Sequence, residues 1–214
     1  MMYSDYNIKE SLKSGHIIID PINDEQIQPA SVDLRLGTHF LVPQPNPRAN
    51  LSTKIKYKSV NRSSFILKPG KMVLATTMET VKLPLDIAGV LEGRSSIGRL
   101  GLFIHNAGFI DPGFDGQITL ELVNMGNSSL LLDSGRRIAQ MLFFELKDPC
   151  ARGYLGKYQH QMGATASRVY LDSEAVRAAK HENYIRLADE NIDEDELEDV
   201  SSGAGIDGDG DIVD

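Results

Sequence analysis

From residue 64 to 147 the chain is a succession of short apolar runs separated by turn-forming residues, and this spacing constrains the fold more than any other feature. Phe65-Ile66-Leu67 leads into Lys68-Pro69-Gly70, Met72-Val73-Leu74-Ala75 follows, and Leu83-Pro84 precedes Ile87-Ala88-Gly89-Val90-Leu91. Gln117 to Val123, Leu130-Leu131-Leu132 and Arg137 to Phe144 continue the series. Runs recurring every ~8–12 residues, with little helical periodicity between them, are the pattern of a sandwich or barrel, so the body is predicted to be all-β.

The flanks read differently. Ser4 is placed to cap a helix through about Ser14, with Ile8 and Leu12 four apart on one face and Gly15 as its stop. A helix this short is expected to pack on the body. Val32, Leu34 and Leu36 alternate with Asp33 and Arg35, the period of a half-buried strand. Residues 43 to 63, rich in Pro, Asn, Ser and Lys, predict a long surface excursion. Residues 1–171 thus form the body, 172–188 a C-terminal helix opened by Asp172-Ser173-Glu174, and 189–214 an acidic, Gly-rich tail that buries too little apolar surface to order itself. The spacing of Asp207, Asp209 and Asp211 suggests a calcium loop, but the Gly and Glu such a loop needs further on are missing.

Charge is unevenly distributed. Twelve of the 30 acidic residues and none of the 22 basic ones lie from Asp189 onward, leaving residues 1–188 with 18 acidic against 22 basic side chains, a net of about +4. A mildly basic body suits an anionic small ligand such as a nucleotide. The single Cys150 excludes a disulfide scaffold, and it also excludes the Pro-Cys-x-x-Cys with His-x-Glu of the zinc nucleobase deaminases. The opening Met-Met-Tyr-Ser-Asp-Tyr has no basic stretch ahead of an apolar one, and no apolar run approaches ~18 residues. A cytoplasmic protein without membrane or nucleic-acid partners is expected.

Two segments concentrate chemistry. Gly93-Arg94-Ser95-Ser96-Ile97-Gly98-Arg99-Leu100-Gly101 offers backbone amides, two hydroxyls and two guanidinium forks, which suits either a polyphosphate cradle or a charged surface turn. In His105 to Gly116, Asp111 stands before Pro112-Gly113, where it either caps the turn or serves a ligand. Glu121 lies between Leu120 and Leu122, so it points opposite to them, toward solvent or into a cleft where partial burial would make it a usable base.

Gln28-Pro29-Ala30-Ser31-Val32-Asp33-Leu34-Arg35-Leu36-Gly37, the segment Gly93 to Gly101, Ala107 to Glu121, and Gly156-Lys157-Tyr158-Gln159-His160-Gln161-Met162-Gly163 together resemble the dCTP deaminase family of the dUTPase superfamily. The likeness is strongest to its bifunctional, dUMP-forming members and spans residues 1 to about 170. It implies a distorted, jelly-roll-like β-barrel of the dUTPase fold with short flanking helices, a homotrimer, and active sites shared between neighbouring subunits.

By this resemblance Glu121 is the general base that takes a proton from water attacking C4 of cytosine and passes protons to the leaving ammonia. Ser95 and Arg99 position that water and stabilise charge on the ring. Arg94, Ser95, Ser96 and Gly98 form the phosphate-binding loop, and Ile97 and Arg99 are implied as further substrate contacts. Asp111 lies beside the sugar and orients the water that cleaves between the α- and β-phosphates. Mg²⁺ is implied as a cofactor held mainly by phosphate oxygens, with no direct protein ligand. Thr119 and Leu120 meet the base through their backbone, and Gln140, Tyr154, Lys157 and Gln161 close over the triphosphate. One departure stands out: His105-Asn106-Ala107-Gly108 lacks the Thr of the family's usual His-x-Thr-Ala-Gly and is one residue shorter, a form some bifunctional members share.

Conversion of dCTP to dUMP, with deamination and diphosphate release in one site, is the leading reading. A dUTP diphosphatase that does not deaminate is the nearest alternative, and a nucleotide-responsive interaction protein using the acidic tail is the alternative of another class.

Overall fold

The computed structural model describes residues 1–47, 49–104 and 108–177. It divides into two units, one comprising Met1–Arg48 and Ile55–Ser167, the other Ala49–Lys54 and Arg168–Asp214. In the first, helix α1 (Asp5–Ser14) starts where expected. The Ser4 N–H and hydroxyl both donate to Asn7 Oδ1, at 3.2 and 2.9 Å. The helix ends at Gly15, whose φ of 74° is the left-handed conformation that closes a helix.

The strands then follow in order: β1 (Ile18–Asp20), β2 (Ile27–Gln28), β3 (Ser31–Arg35), β4 (His39–Pro43), β5 (Tyr57–Asn61), β6 (Ser64–Leu67), β7 (Met72–Lys82) and β8 (Ile87–Gly93). A single helical turn, α2 (Ser95–Gly98), precedes β9 (Leu102–Ile104), β10 (Phe109–Ile110), β11 (Asp115–Asn124), β12 (Leu130–Asp133) and β13 (Arg137–Glu145). One sheet runs β5-β4-β7-β11-β9, with β1 also paired to β7; a second runs β10-β8-β13-β3-β2; β12 and β6 form a short pair. Every registered pairing is antiparallel. Side chains of both large sheets, among them Phe40, Val73, Leu120 and Leu122 from one and Leu34, Leu91, Met141 and Phe143 from the other, meet in one fully buried cluster. The all-β prediction therefore holds, because alternate residues of each strand supply this core.

Two local expectations are corrected. Residues 43–63 are not wholly an excursion: Tyr57–Asn61 folds back on β4 in register from His39↔Asn61 to Pro43↔Tyr57. β5 is the edge of its sheet, where polar side chains keep one side wetted, so it reads as loop in sequence. The β3 alternation suggested a half-buried strand, yet Asp33 is 1% exposed. β3 lies between β13 and β2, and Asp33 is turned onto two arginines rather than toward water.

In the second unit, the Asn50 and Thr53 side chains tie the 50–53 turn, with Thr53 N–H donating to Asn50 O at 3.0 Å. Lys54 Nζ sits 5.2 Å from the ring centroid of Tyr170, itself in the short 3-10 turn Val169–Leu171. Helical turns begin at Ser173. The rest of the expected helix to 188 and the tail 189–214 lie outside the described residues, as do His105, Asn106 and Ala107.

Candidate active site

β11 is the strand on which the site is built. Its burial alternates residue by residue, with Leu120 and Leu122 fully buried and Thr119, Glu121 and Val123 partly exposed on the opposite face. β7 runs along one edge of β11, pairing Glu121 with Leu74 and Thr119 with Thr76. The other edge is shared. β9 covers Leu122 to Asn124, while the irregular segment 159–165 covers Asp115 to Thr119.

That segment is fastened bond by bond. His160 N–H donates to Asp115 O at 2.7 Å and Gln117 N–H to Gln161 O at 2.9 Å. Gln161 Nε2 reaches Gln117 O at 2.7 Å, Gly163 N–H reaches Gln117 Oε1 at 2.6 Å, and Thr165 N–H reaches the Thr119 hydroxyl at 3.0 Å. On its outer side Ala164 N–H donates to His39 Nδ1 at 2.9 Å. Glu121 falls between the end of this fastening and the start of β9.

Glu121 opens onto a cavity of about 290 Å³, at the small end for a ligand cleft. The wall includes Asp111, Thr119, Tyr154 and Gln161 together with Tyr57 and Tyr158. Asp111 begins a tight turn closed by Phe114 N–H donating to Asp111 O at 3.2 Å, and Gly113 within it has φ 81°. Tyr154 braces this turn: its N–H donates to Pro112 O at 2.8 Å and its ring lies 6.0 Å from that of Phe114, tilted by 53°. Tyr158 N–H donates to the Tyr154 hydroxyl at 3.3 Å. Gln161 Oε1 is buried without a hydrogen-bond partner among the described residues. Burial, reinforced by the Glu121 charge and by Tyr158, pushes the Tyr57 phenol above its ordinary pKa, and a hydrogen bond at the Ser167 backbone opposes this.

The expected site residues thus fall into two groups. Asp111, Thr119, Glu121, Tyr154 and Gln161 line one cavity; Leu120 lies beneath it, its side chain in the core. Arg94, Ser95, Ser96, Ile97, Gly98 and Arg99 do not line it, nor do Gln140 and Lys157. Arg94 caps α2, Ser95, Ser96, Gly98 and Arg99 are exposed around that turn, and Ile97 packs against the core. Gln140 stands on β13 opposite Asp33 on one side and Glu92 on the other. Lys157 Nζ lies 5.7 Å from the centroid of the Tyr158 ring.

Sequence reasoning did not single out Tyr57, Tyr158, Thr165 or Ser167 as cavity residues. Tyr57 sits in the polar stretch read as an excursion, and no periodicity marks it. The others could have been suspected only from their nearness to Gln161.

The chain is also similar to known proteins. Residues 2–146, from the N-terminus through β13, match the family model described as dCTP deaminase-like. A protein of Persephonella marina named dCTP deaminase, dUMP-forming is 44% identical over 182 residues, covering 81% of this chain and all of that one. The protein of the same name from Sulfurihydrogenibium is 44% identical over 179 residues, covering 80% and 99%. One from Halorubrum lacusprofundi, named dCTP deaminase, is 42% identical over 203 residues, covering 86% and 100%. Among solved structures, the deoxycytidine triphosphate deaminase of Agrobacterium tumefaciens superposes with a TM-score of 0.55 at 24% identity, over 66% of this chain and 46% of that one, a likeness of fold. A match that takes in β3, the Arg94 turn, the Asp111 turn and the whole of β11 places the chain in the dCTP deaminase family.

Proposed function

We propose that the protein hydrolyses dCTP to dUMP, releasing ammonia and diphosphate, with two waters consumed in one composite site. The observation that carries this reading is the placement of Glu121: two fully buried leucines anchor its strand, and its carboxylate shares a cavity with Asp111. Relatives of near-full-length coverage bear the dUMP-forming name.

In this reading the pyrimidine occupies the cavity over Thr119 and Glu121. Glu121 removes a proton from the water that attacks C4 and returns protons to the departing amino nitrogen. The backbone of Thr119 and Leu120, held by the β7 pairing, orients the base. Asp111, at the exposed lip, orients the second water toward the α-phosphate. Arg94, Ser95, Ser96 and Gly98 grip the phosphates, and Ser95 and Arg99 steady the first water; Gln140, Tyr154, Lys157 and Gln161 close over the triphosphate. Because the Arg94 group does not line the Glu121 cavity of its own chain, each site takes one group from each of two neighbouring subunits, as a homotrimer allows.

The cavity bears two carboxylates, Asp111 and Glu121, and among the described residues no group of three His, Cys, Asp or Glu stands together. So sparse a donor set builds no protein cage for the ion and fits Mg²⁺ held mainly by the substrate's phosphate oxygens and by waters. When bound, it offsets charge on the triphosphate during cleavage. No helix of the described residues is long and apolar enough to cross a membrane. The reading is of a cytoplasmic enzyme with nucleotide substrates.

Chromatography of products from dCTP and from dUTP, each with Mg²⁺, tests it. dUMP and ammonia from dCTP are expected. Accumulation of dUTP would limit the enzyme to deamination, and dUMP from dUTP with no ammonia from dCTP would make it a diphosphatase.

A further inference from the structure

We propose that Asp33 is the positioning residue for Arg94, and that through Arg94 it sets the enzyme's hold on the substrate's triphosphate. This rests on the reading of Arg94 as a phosphate contact.

Asp33 comes from the middle of β3 and is 1% exposed, yet it faces two guanidinium groups that reach the surface. Its Oδ1 lies 3.2 Å from Arg94 Nε and its Oδ2 3.3 Å from Arg137 Nη1. Arg94 and Arg137 keep 29% and 35% of their side chains exposed. Arg94 is held twice more, its Nη1 donating to Arg137 O at 3.2 Å and its N–H to Ile138 O at 3.0 Å. The arginine that heads α2 is thus fixed at both backbone and guanidinium before any ligand arrives. Gln140, expected to serve the triphosphate, is Asp33's partner across the strands and shares its face.

A second buried carboxylate shows what a purely structural one looks like here. Glu79 is fully buried and saturated, accepting from Arg35 N–H at 2.9 Å, Arg35 Nε at 2.6 Å and Gln26 Nε2 at 2.9 Å. Asp33 is less well served, for its Oδ2 has a charge contact but, among the described residues, no hydrogen bond. Burial pushes its carboxyl above the usual range, and the two arginines pull it back only in part. Buried ion pairs of this kind often add little stability compared with apolar packing. What this one supplies is a fixed guanidinium, which lowers the ordering cost of binding an anion. Two arginines share this one carboxylate, so it does not neutralise both guanidinium groups.

A double-mutant cycle on the full-length protein tests this, with steady-state kinetics on dCTP and thermal unfolding for Asp33→Asn, Arg94→Gln and the pair. Asp33→Asn is expected to raise KM about tenfold with kcat within about threefold, and to add nothing further in the Arg94→Gln background. An unchanged KM for Asp33→Asn, or effects that multiply in the double variant, would overturn the proposal. If Arg94→Gln itself leaves KM unchanged, the phosphate role of Arg94 falls and the proposal with it. Should Asp33→Asn fail to fold, Arg94→Lys decides: it keeps the charge but loses the Nε contact, so KM must rise, and a wild-type KM would refute the role of Asp33.

Discussion

Gly116 approaches the backbone of Gln161 so closely that a Cβ there would lie 2.8 Å from Gln161 O and 3.0 Å from Gln161 N, and its φ is 152°. The close approach is what lets residues 159–165 lie flat along β11 and present Gln161 and Thr165 to the cavity. Gly116→Ala must therefore strain its own backbone and push the segment off. A loss of about 2–4 kcal/mol is expected, a fall of roughly 5–10 °C in Tm, together with a raised KM. A differential scanning measurement showing no change would mean the segment is not held in this way.

His39 holds the same segment from its other side, with Nδ1 accepting from Ala164 N–H and Nε2 2.9 Å from Ser59 Oγ. His39→Phe removes both bonds, at about 1 kcal/mol each. Faster hydrogen exchange or proteolysis is expected across residues 159–165, with KM rising more than kcat falls. Unaltered protection of that stretch would show that His39 does not restrain it.

Asp33 gives a stability prediction with a definite sign. Burial raises its carboxyl from 3.8, opposed by Arg94 and Arg137, the charged groups that face it. The folded state therefore binds the proton more readily than the unfolded chain. This contribution is complete below 3.8 and is lost as pH climbs through the raised folded value. The substituted amide of Asp33→Asn does not titrate. The Tm of the wild type minus that of Asp33→Asn should shrink as pH rises from about 4 toward neutrality. A difference that widens over that range would mean that the arginines outweigh burial.

What the sequence makes legible depends on where each signal resides. Strand positions were legible because the core takes every second residue, as in Ile118, Leu120 and Leu122. The helix cap was legible because Ser4 and Gly15 act locally. Glu121 could be placed opposite its leucines, but whether it met water or a cleft depended on what covers the free edge of β11. Tyr57 and Asp33 were illegible for a related reason: the first gains its place from an edge pairing, the second from arginines 61 and 104 residues away in the sequence. The two-group division of the expected site is likewise invisible in a linear order that sets Arg94 to Arg99 close to Asp111.

Asp111 separates the two half-reactions. Asp111→Asn keeps the side chain's size and removes its charge at the lip of the cavity. Phosphate cleavage, measured as dUMP from dUTP, should fall at least tenfold more than ammonia release from dCTP. Equal losses would assign Asp111 to binding instead.

The most direct test is ammonia release from dCTP by Glu121→Gln, measured beside nucleotide binding by calorimetry. Loss of a general base predicts a rate at least ~10²-fold lower with nucleotide affinity retained within a few fold. Deamination at close to the wild-type rate would contradict the account at its centre.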